Sequence, residues 1–154
     1  MMLYLSIGSN LGDKRNFLLQ AISLIRERVG RVVCISRFYE TEPWGYTSTN
    51  TYLNAALEVE TSLSALEVLA ITQDIERELG RQRKSMNREY FDRSIDIDLL
   101  LMDDIIVESE VLNLPHPLMH ERLFVMEPMV EIAPTVMHPV LKKTICEIYN
   151  ALML

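Results

Sequence analysis

The run Arg93-Ser94-Ile95-Asp96-Ile97-Asp98-Leu99-Leu100-Leu101 sets two carboxylates two residues apart in an apolar stretch. The alternation predicts a strand, in which side chains change face with every residue. Asp96 and Asp98 then share one face, and Ile95, Ile97 and Leu99 the other. Neighbouring carboxylates at the mouth of an apolar strand each resist ionising beside the other and find no partner in a core. A hard dication relieves both penalties, and Mg²⁺ characteristically takes one or two carboxylates together with substrate phosphates. Arg93 stands just upstream, where it would meet such phosphates. The competing reading is the end of an edge strand whose carboxylates face water.

Further candidates fall into groups. Arg77, Arg81, Arg83, Lys84, Arg88 and Arg93 crowd into 17 positions of a chain whose net charge is -7. A positive cluster on an acidic protein fits either a small polyanion such as a nucleoside triphosphate or a solvated basic loop. Thr41-Glu42-Pro43-Trp44-Gly45-Tyr46 carries the sole tryptophan. Its rings would suit a flat aromatic ligand, or would plug the loop onto the body. Tyr52, Asn54 and Ala56 share a strand face. An amide there reads the edge of a heterocycle, or is a satisfied polar group at a sheet end. His116, His120 and Arg122 lie close together, but Pro117 keeps the two histidines off one helix and argues against a helical zinc motif. His116 and Arg122 suit phosphate, with a backbone-bonded turn histidine as the alternative. His138 reads as structural. Gly8-Ser9-Asn10-Leu11-Gly12 lacks the spacing of a P-loop or a dinucleotide fingerprint and reads as a tight turn. Neither a serine nor a cysteine nucleophile can be assembled, so the set amounts to phosphoryl transfer without a covalent intermediate.

The elements that must position these groups follow from periodicity. Strands are expected at 2–8, 31–40, 52–60 and 93–101, and helices at 14–29 (closed by Gly30) and from 65 to Gly80. A capping box, Ser64 to Glu67, opens the second helix. The order βαββαβ is the ferredoxin-like α+β arrangement, an antiparallel sheet flanked by helices. In it the aspartate strand pairs within the sheet, and the loops 8–13, 41–51 and 81–93 reach its mouth. The two longer loops are the expected place for a lid. Beyond the core, 105–107 and 110–114 are expected to form a hairpin. Residues 116–133 read as loop then helix interrupted by Pro128, and 144–153 as a helix capped by Thr144. With 154 residues and no repeat or linker, one domain spanning 1–154 is expected.

Taken together, six segments resemble the 6-hydroxymethyl-7,8-dihydropterin pyrophosphokinase family of folate biosynthesis. They are Ser6 to Gly12, Phe38 to Pro43, Tyr52 to Ala56, Glu76 to Arg83, Asp96 to Leu100, and Pro115 to Arg122. The resemblance implies transfer of the β,γ-pyrophosphoryl unit of ATP to the pterin hydroxymethyl oxygen, with release of AMP. It implies that Asp96 and Asp98 bind two Mg²⁺ ions, and that Arg81 and Arg93 are lid arginines that meet the phosphates. Gln73, Arg83, Leu99, His116 and Arg122 match ATP contacts. Thr41, Pro43, Trp44, Tyr52, Asn54 and Phe124 match the pterin pocket, with Phe124 stacking on the ring and Asn54 reading its edge. One segment departs. Where the family often has Trp-Gly-Pro-Arg, this chain has Glu89-Tyr90-Phe91-Asp92-Arg93, so Tyr90 or Phe91 takes the place of the closing tryptophan. Glu42 replaces a common proline and Trp44 a common aliphatic residue.

Composition weighs against other classes. A pI near 5.0 disfavours a general nucleic-acid binder, as does the absence of an aromatic stacking stripe on the predicted sheet. The remaining rival is a nucleotide sensor that performs no chemistry, and the paired aspartates argue against it. No apolar run reaches the roughly 20 residues of a membrane span, and the N-terminus lacks the basic region of a signal peptide. Cys34 and Cys146, without motif spacing, read as reduced core thiols of a cytoplasmic protein. A monomer acting on small molecules is expected.

Overall fold

A computed structural model describes residues 1–42, 51–80 and 94–154. Strand β1 (Met2–Ser9) leads to helix α1 (Lys14–Arg28), then to β2 (Arg31–Ile35), β3 (Tyr39–Thr41) and β4 (Tyr52–Glu60). Helix α2 (Ala65–Gly80) precedes β5 (Asp96–Met102), the short strands β6 (Val107–Glu108) and β7 (Asn113–Leu114), α3 (Leu123–Ile132) and α4 (Ile145–Leu152). The main sheet runs β2-β4-β1-β5, with β3 also pairing with β4. Every pairing in it is antiparallel. This is the ferredoxin-like α+β order.

The period of two in the strands divides the sheet into two apolar layers. Leu3, Leu5 and Ile7 of β1, Ala55, Leu57 and Val59 of β4, and Ile97 and Leu99 of β5 pack against Leu18, Ala21, Ile22 and Ile25 of α1 and Val68 and Ile75 of α2. On the opposite face, Tyr4, Ala56, Leu100 and Leu101 pack under Val125, Met126 and Met129 of α3 and Ile145 and Ile148 of α4. A bulge between Tyr4 and Leu5 in the β1–β5 pairing sends both Leu100 and Leu101 to this second face.

Several local expectations change. The stretch 31–40 is two strands: Ser36 gives its amide to Ala56 O, accepts the Ala56 amide on its hydroxyl and donates that hydroxyl to Arg37 O. These side-chain bonds replace the ladder and break the strand. Pro128 lies inside α3 rather than interrupting it. Its ring is buried on the face of Val125 and Met129, and a proline removes only one helical hydrogen bond. Gly30 is required by close approach, because a Cβ there would collide with the carbonyl of Glu60. The aspartate strand lies at the sheet's edge, paired with β1, the position that the competing reading gave it. Cys34 and Cys146 are free and half-buried rather than core.

Other expectations stand as read. The box Ser64–Glu67 closes in both directions, as does its counterpart Thr144–Glu147. The hairpin forms from Val107–Glu108 and Asn113–Leu114. Among the described residues no helix is long and apolar enough to cross a membrane.

Candidate active site

The second face of the sheet changes character along β1. Gly8 pairs with Asn54 on one side and Asp96 on the other, and Ser6 likewise with Ala56 and Asp98. Ala56 still belongs to the apolar layer beneath α3 and α4, whereas the row Asn54–Gly8–Asp96 is polar. Adjacent strands stand about 4.8 Å apart, so roughly 10 Å separates Asn54 from the Asp96 backbone. Gly8 lets the Asn54 amide and the Tyr52 ring close over the strand between them: a Cβ there would lie 2.6 Å from Asn54 Oδ1 and 3.4 Å from Tyr52 Cδ1.

Asn54 is buried, and its amide donates to Thr41 Oγ1 at 2.6 Å. That bond turns its oxygen and second N–H toward other partners. The Tyr52 hydroxyl lies 3.5 Å from Asp96 Oδ2. Asp96 and Asp98 share this face, half-buried at the start of β5. Among the described residues no group of three or more His, Cys, Asp or Glu side chains gathers in a cation-holding arrangement. A pair of carboxylates alone fits Mg²⁺ arriving with phosphates, since that ion keeps most of its ligands from water and nucleotide. It does not fit a closed structural zinc site.

His116 stands beside β5, its amide donating to Leu100 O at 2.9 Å. Its Nδ1 accepts the Leu118 amide at 3.2 Å, which leaves the proton of a neutral ring on Nε2. Burial, and then the positive charge of Arg122, pushes its pKa down to about 4. Arg122 precedes α3, with its guanidinium carbon 5.6 Å from the centre of the Phe124 ring. His138 is structural as read, its Nδ1 accepting the amides of Val140 and Leu141. Gln73 is exposed on α2. One residue that the sequence offered only as the edge of a motif enters here: Glu76 Oε2 accepts the Ile97 amide, between the two aspartates, at 2.7 Å. Its spacing of three from Gln73 on a helix was the available signal.

Thr41, Tyr52, Asn54, Asp96 and Asp98 are thus brought together, with His116 placed along the same edge strand. Pro43, Trp44, Tyr46, Arg81, Arg83, Lys84, Arg88, Tyr90, Phe91 and Arg93 lie outside the described residues. So do most of the two loops expected to form a lid.

The sheet order defines a protein of the ferredoxin-like α+β class, with a carboxylate pair on its edge strand. The sequence pattern of the 7,8-dihydro-6-hydroxymethylpterin-pyrophosphokinase (HPPK) family matches residues 4–134, and the chain belongs to that family. It is 50% identical over 137 residues to the 2-amino-4-hydroxy-6-hydroxymethyldihydropteridine pyrophosphokinase of Porphyromonas gingivalis, covering 88% of this chain and 92% of that one. The Bacillus subtilis enzyme of the same name is 42% identical over 134 residues, covering 86% and 78%. A solved Plasmodium falciparum HPPK-DHPS superposes with a TM-score of 0.78 at 18% identity, over 97% of this chain and 43% of that one. That likeness speaks for the fold, and the chain spans less than half of the solved protein. The chain is therefore a pyrophosphokinase of folate biosynthesis, in a family that uses ATP as co-substrate and acts on small molecules.

Proposed function

We propose that this enzyme transfers the β,γ-pyrophosphoryl unit of ATP to the hydroxymethyl oxygen of 6-hydroxymethyl-7,8-dihydropterin, in line at the β-phosphorus, releasing AMP. One observation carries the reading: the row Asn54–Gly8–Asp96 sets a heterocycle-reading amide and a carboxylate on the two strands flanking Gly8. A pterin held at Asn54 would extend its hydroxymethyl arm across Gly8 toward Asp96.

Asp96 and Asp98 would hold two Mg²⁺ ions. When bound, Mg²⁺ neutralises phosphate charge and eases deprotonation of an attacking hydroxyl. Thr41 fixes the orientation of the Asn54 amide. Phe124 and Tyr52 would bound the ring, with Pro43, Trp44 and Tyr90 or Phe91 completing the pocket as the family resemblance implies. His116 would offer its Nε2–H to a phosphate oxygen as a neutral donor. Gln73, Arg83 and Arg122 would complete the nucleotide site, Leu99 through its backbone only because its side chain packs in the layer under α1 and α2, and Arg81 and Arg93 would meet the charge that develops on the transferring group. A cytoplasmic monomer whose single domain spans 1–154 fits the small-molecule substrates.

The test is incubation with ATP, Mg²⁺ and the pterin, followed by separation of the nucleotides. One AMP for each pterin consumed, only with metal present, is the expected result. ADP would instead mean transfer of a single phosphoryl group. ATP binding without turnover would favour the sensor.

A further inference from the structure

An edge strand is pinned on one side only, and an aspartate pair on it inherits that freedom. Strand β5 is the edge of the main sheet, and its pairing with β1 ends at Gly8↔Asp96, its first residue. Yet the outer side of β5 is not bare. Glu76 of α2 accepts the Ile97 amide at 2.7 Å. That N–H belongs to the peptide joining Asp96 to Ile97, so the bond constrains the backbone dihedrals on both sides of it. Ser6 pairs with Asp98 from the opposite side. The segment between the two carboxylates is thereby gripped from both edges. A carboxylate accepting a backbone N–H makes a charge-assisted bond, stronger than the neutral ladder bonds it stands in for.

We infer that Glu76 is a positioning residue for the aspartate pair: by clamping the Ile97 amide it fixes the spacing of the Asp96 and Asp98 carboxylates, and hence their joint affinity for a divalent cation. The inference rests on the reading of those aspartates as the cation site. Partners behind metal ligands typically change affinity by 10–100-fold when removed. The mechanism here is geometric rather than electrostatic. An amide oxygen on a side chain of equal length should therefore serve, and a shorter carboxylate should not.

Three variants separate the possibilities: Glu76→Gln keeps length and an acceptor, Glu76→Asp keeps charge but loses reach, and Glu76→Ala loses both. The probe is Mn²⁺ binding, followed by electron paramagnetic resonance, with α,β-methylene ATP, which cannot be cleaved. Ile97 amide exchange is read by nuclear magnetic resonance on the same samples. Glu76→Asp and Glu76→Ala should each weaken Mn²⁺ about tenfold or more and speed exchange at Ile97. Glu76→Gln should stay within about twofold of the parent on both readouts. Equal weakening in Glu76→Gln and Glu76→Ala would overturn the inference in favour of charge. A lowered melting temperature with unchanged Mn²⁺ affinity would reduce Glu76 to a purely structural role. Asp96→Asn and Asp98→Asn serve as the separate control. If they leave Mn²⁺ binding intact, the cation reading fails, whatever Ile97 exchange shows about Glu76.

Discussion

At the scale of single residues the site depends on parity and protonation. Asp96→Ala and Asp98→Ala remove half-buried carboxylates that belong to neither apolar layer, so both variants should fold with melting temperatures near the parent's. Their turnover should fall by about 10³-fold or more, the order of loss for removing transition-state charge stabilisation. Steady-state kinetics alongside thermal melts would check this, and near-normal turnover would count against the pair. His116 makes a prediction about acid. Its folded pKa, pushed down to about 4 by burial and then by Arg122, lies below the ordinary value of 6.5. Between those values the unfolded chain takes up a proton that the folded chain refuses, so stability falls as pH drops through that window. With solvent screening of a partly exposed ring the loss is about 1–2 kcal/mol. Urea unfolding at pH 6.5 and 4 should show a steeper loss for the parent than for His116→Gln; parallel slopes would contradict it. Asp96, Asp98, Tyr52 and Asn54 were legible in the sequence because strand parity alone assigns their faces. Glu76 had only its place one turn from Gln73 to mark it, because the bond from a helix side chain to a backbone amide cannot itself be read from sequence.

At the scale of elements, β3 is tied to α3 by a clasp. Tyr39 donates its hydroxyl to Glu131 Oε1 at 2.6 Å, and the Arg37 amide reaches the same carboxylate at 3.1 Å. The Arg37 guanidinium also lies over the Tyr39 ring. Thr41, which orients Asn54, is two residues past Tyr39 on β3, and Phe124 is on α3. Removing the hydroxyl in Tyr39→Phe or the acceptor in Glu131→Ala should each cost about 1 kcal/mol. The double variant should cost less than their sum, since both break one bond. Strict additivity in a double-mutant cycle would show that the clasp is not a coupled unit. Most element types were legible, from alternation in β1 and β4 and from the capping boxes at Ser64 and Thr144. The breaks were not. Ser36 ends β2 through its own hydroxyl bonds, and buried Pro128 continues a helix that its residue type predicts will stop; in both, tertiary packing decides.

At the scale of the whole molecule, one sheet serves two layers of different purpose. The layer under α1 and α2 is apolar along its length, whereas the layer under α3 and α4 gives way to the site. Ile75→Ala and Met129→Ala delete side chains with no exposed surface, and each should cost about 2–5 kcal/mol in denaturant unfolding. Their effects on chemistry should differ. Ile75→Ala should leave the pterin KM of the folded fraction unchanged, whereas Met129→Ala, in the layer that supports Phe124, should raise it several-fold. Equal KM values would remove the distinction between the layers. The sheet arrangement followed from the βαββαβ reading, with the aspartate strand at one edge, whereas its outer partner Glu76 did not, because contacts across elements are a property of the assembled molecule. The bulge at Tyr4 and Leu5 carries a consequence for insertions and deletions. A single-residue insertion or deletion in a strand exchanges its two faces from that point onward. In β5 one such offset is present, and it lies past Asp98, where only apolar residues, Leu101 and Met102, change sides. The same offset before Asp96 would turn both carboxylates into the apolar layer. A residue gained or lost just before Asp96 would therefore undo the site while leaving its composition intact, whereas one in a connecting loop would leave the facing of both carboxylates unchanged.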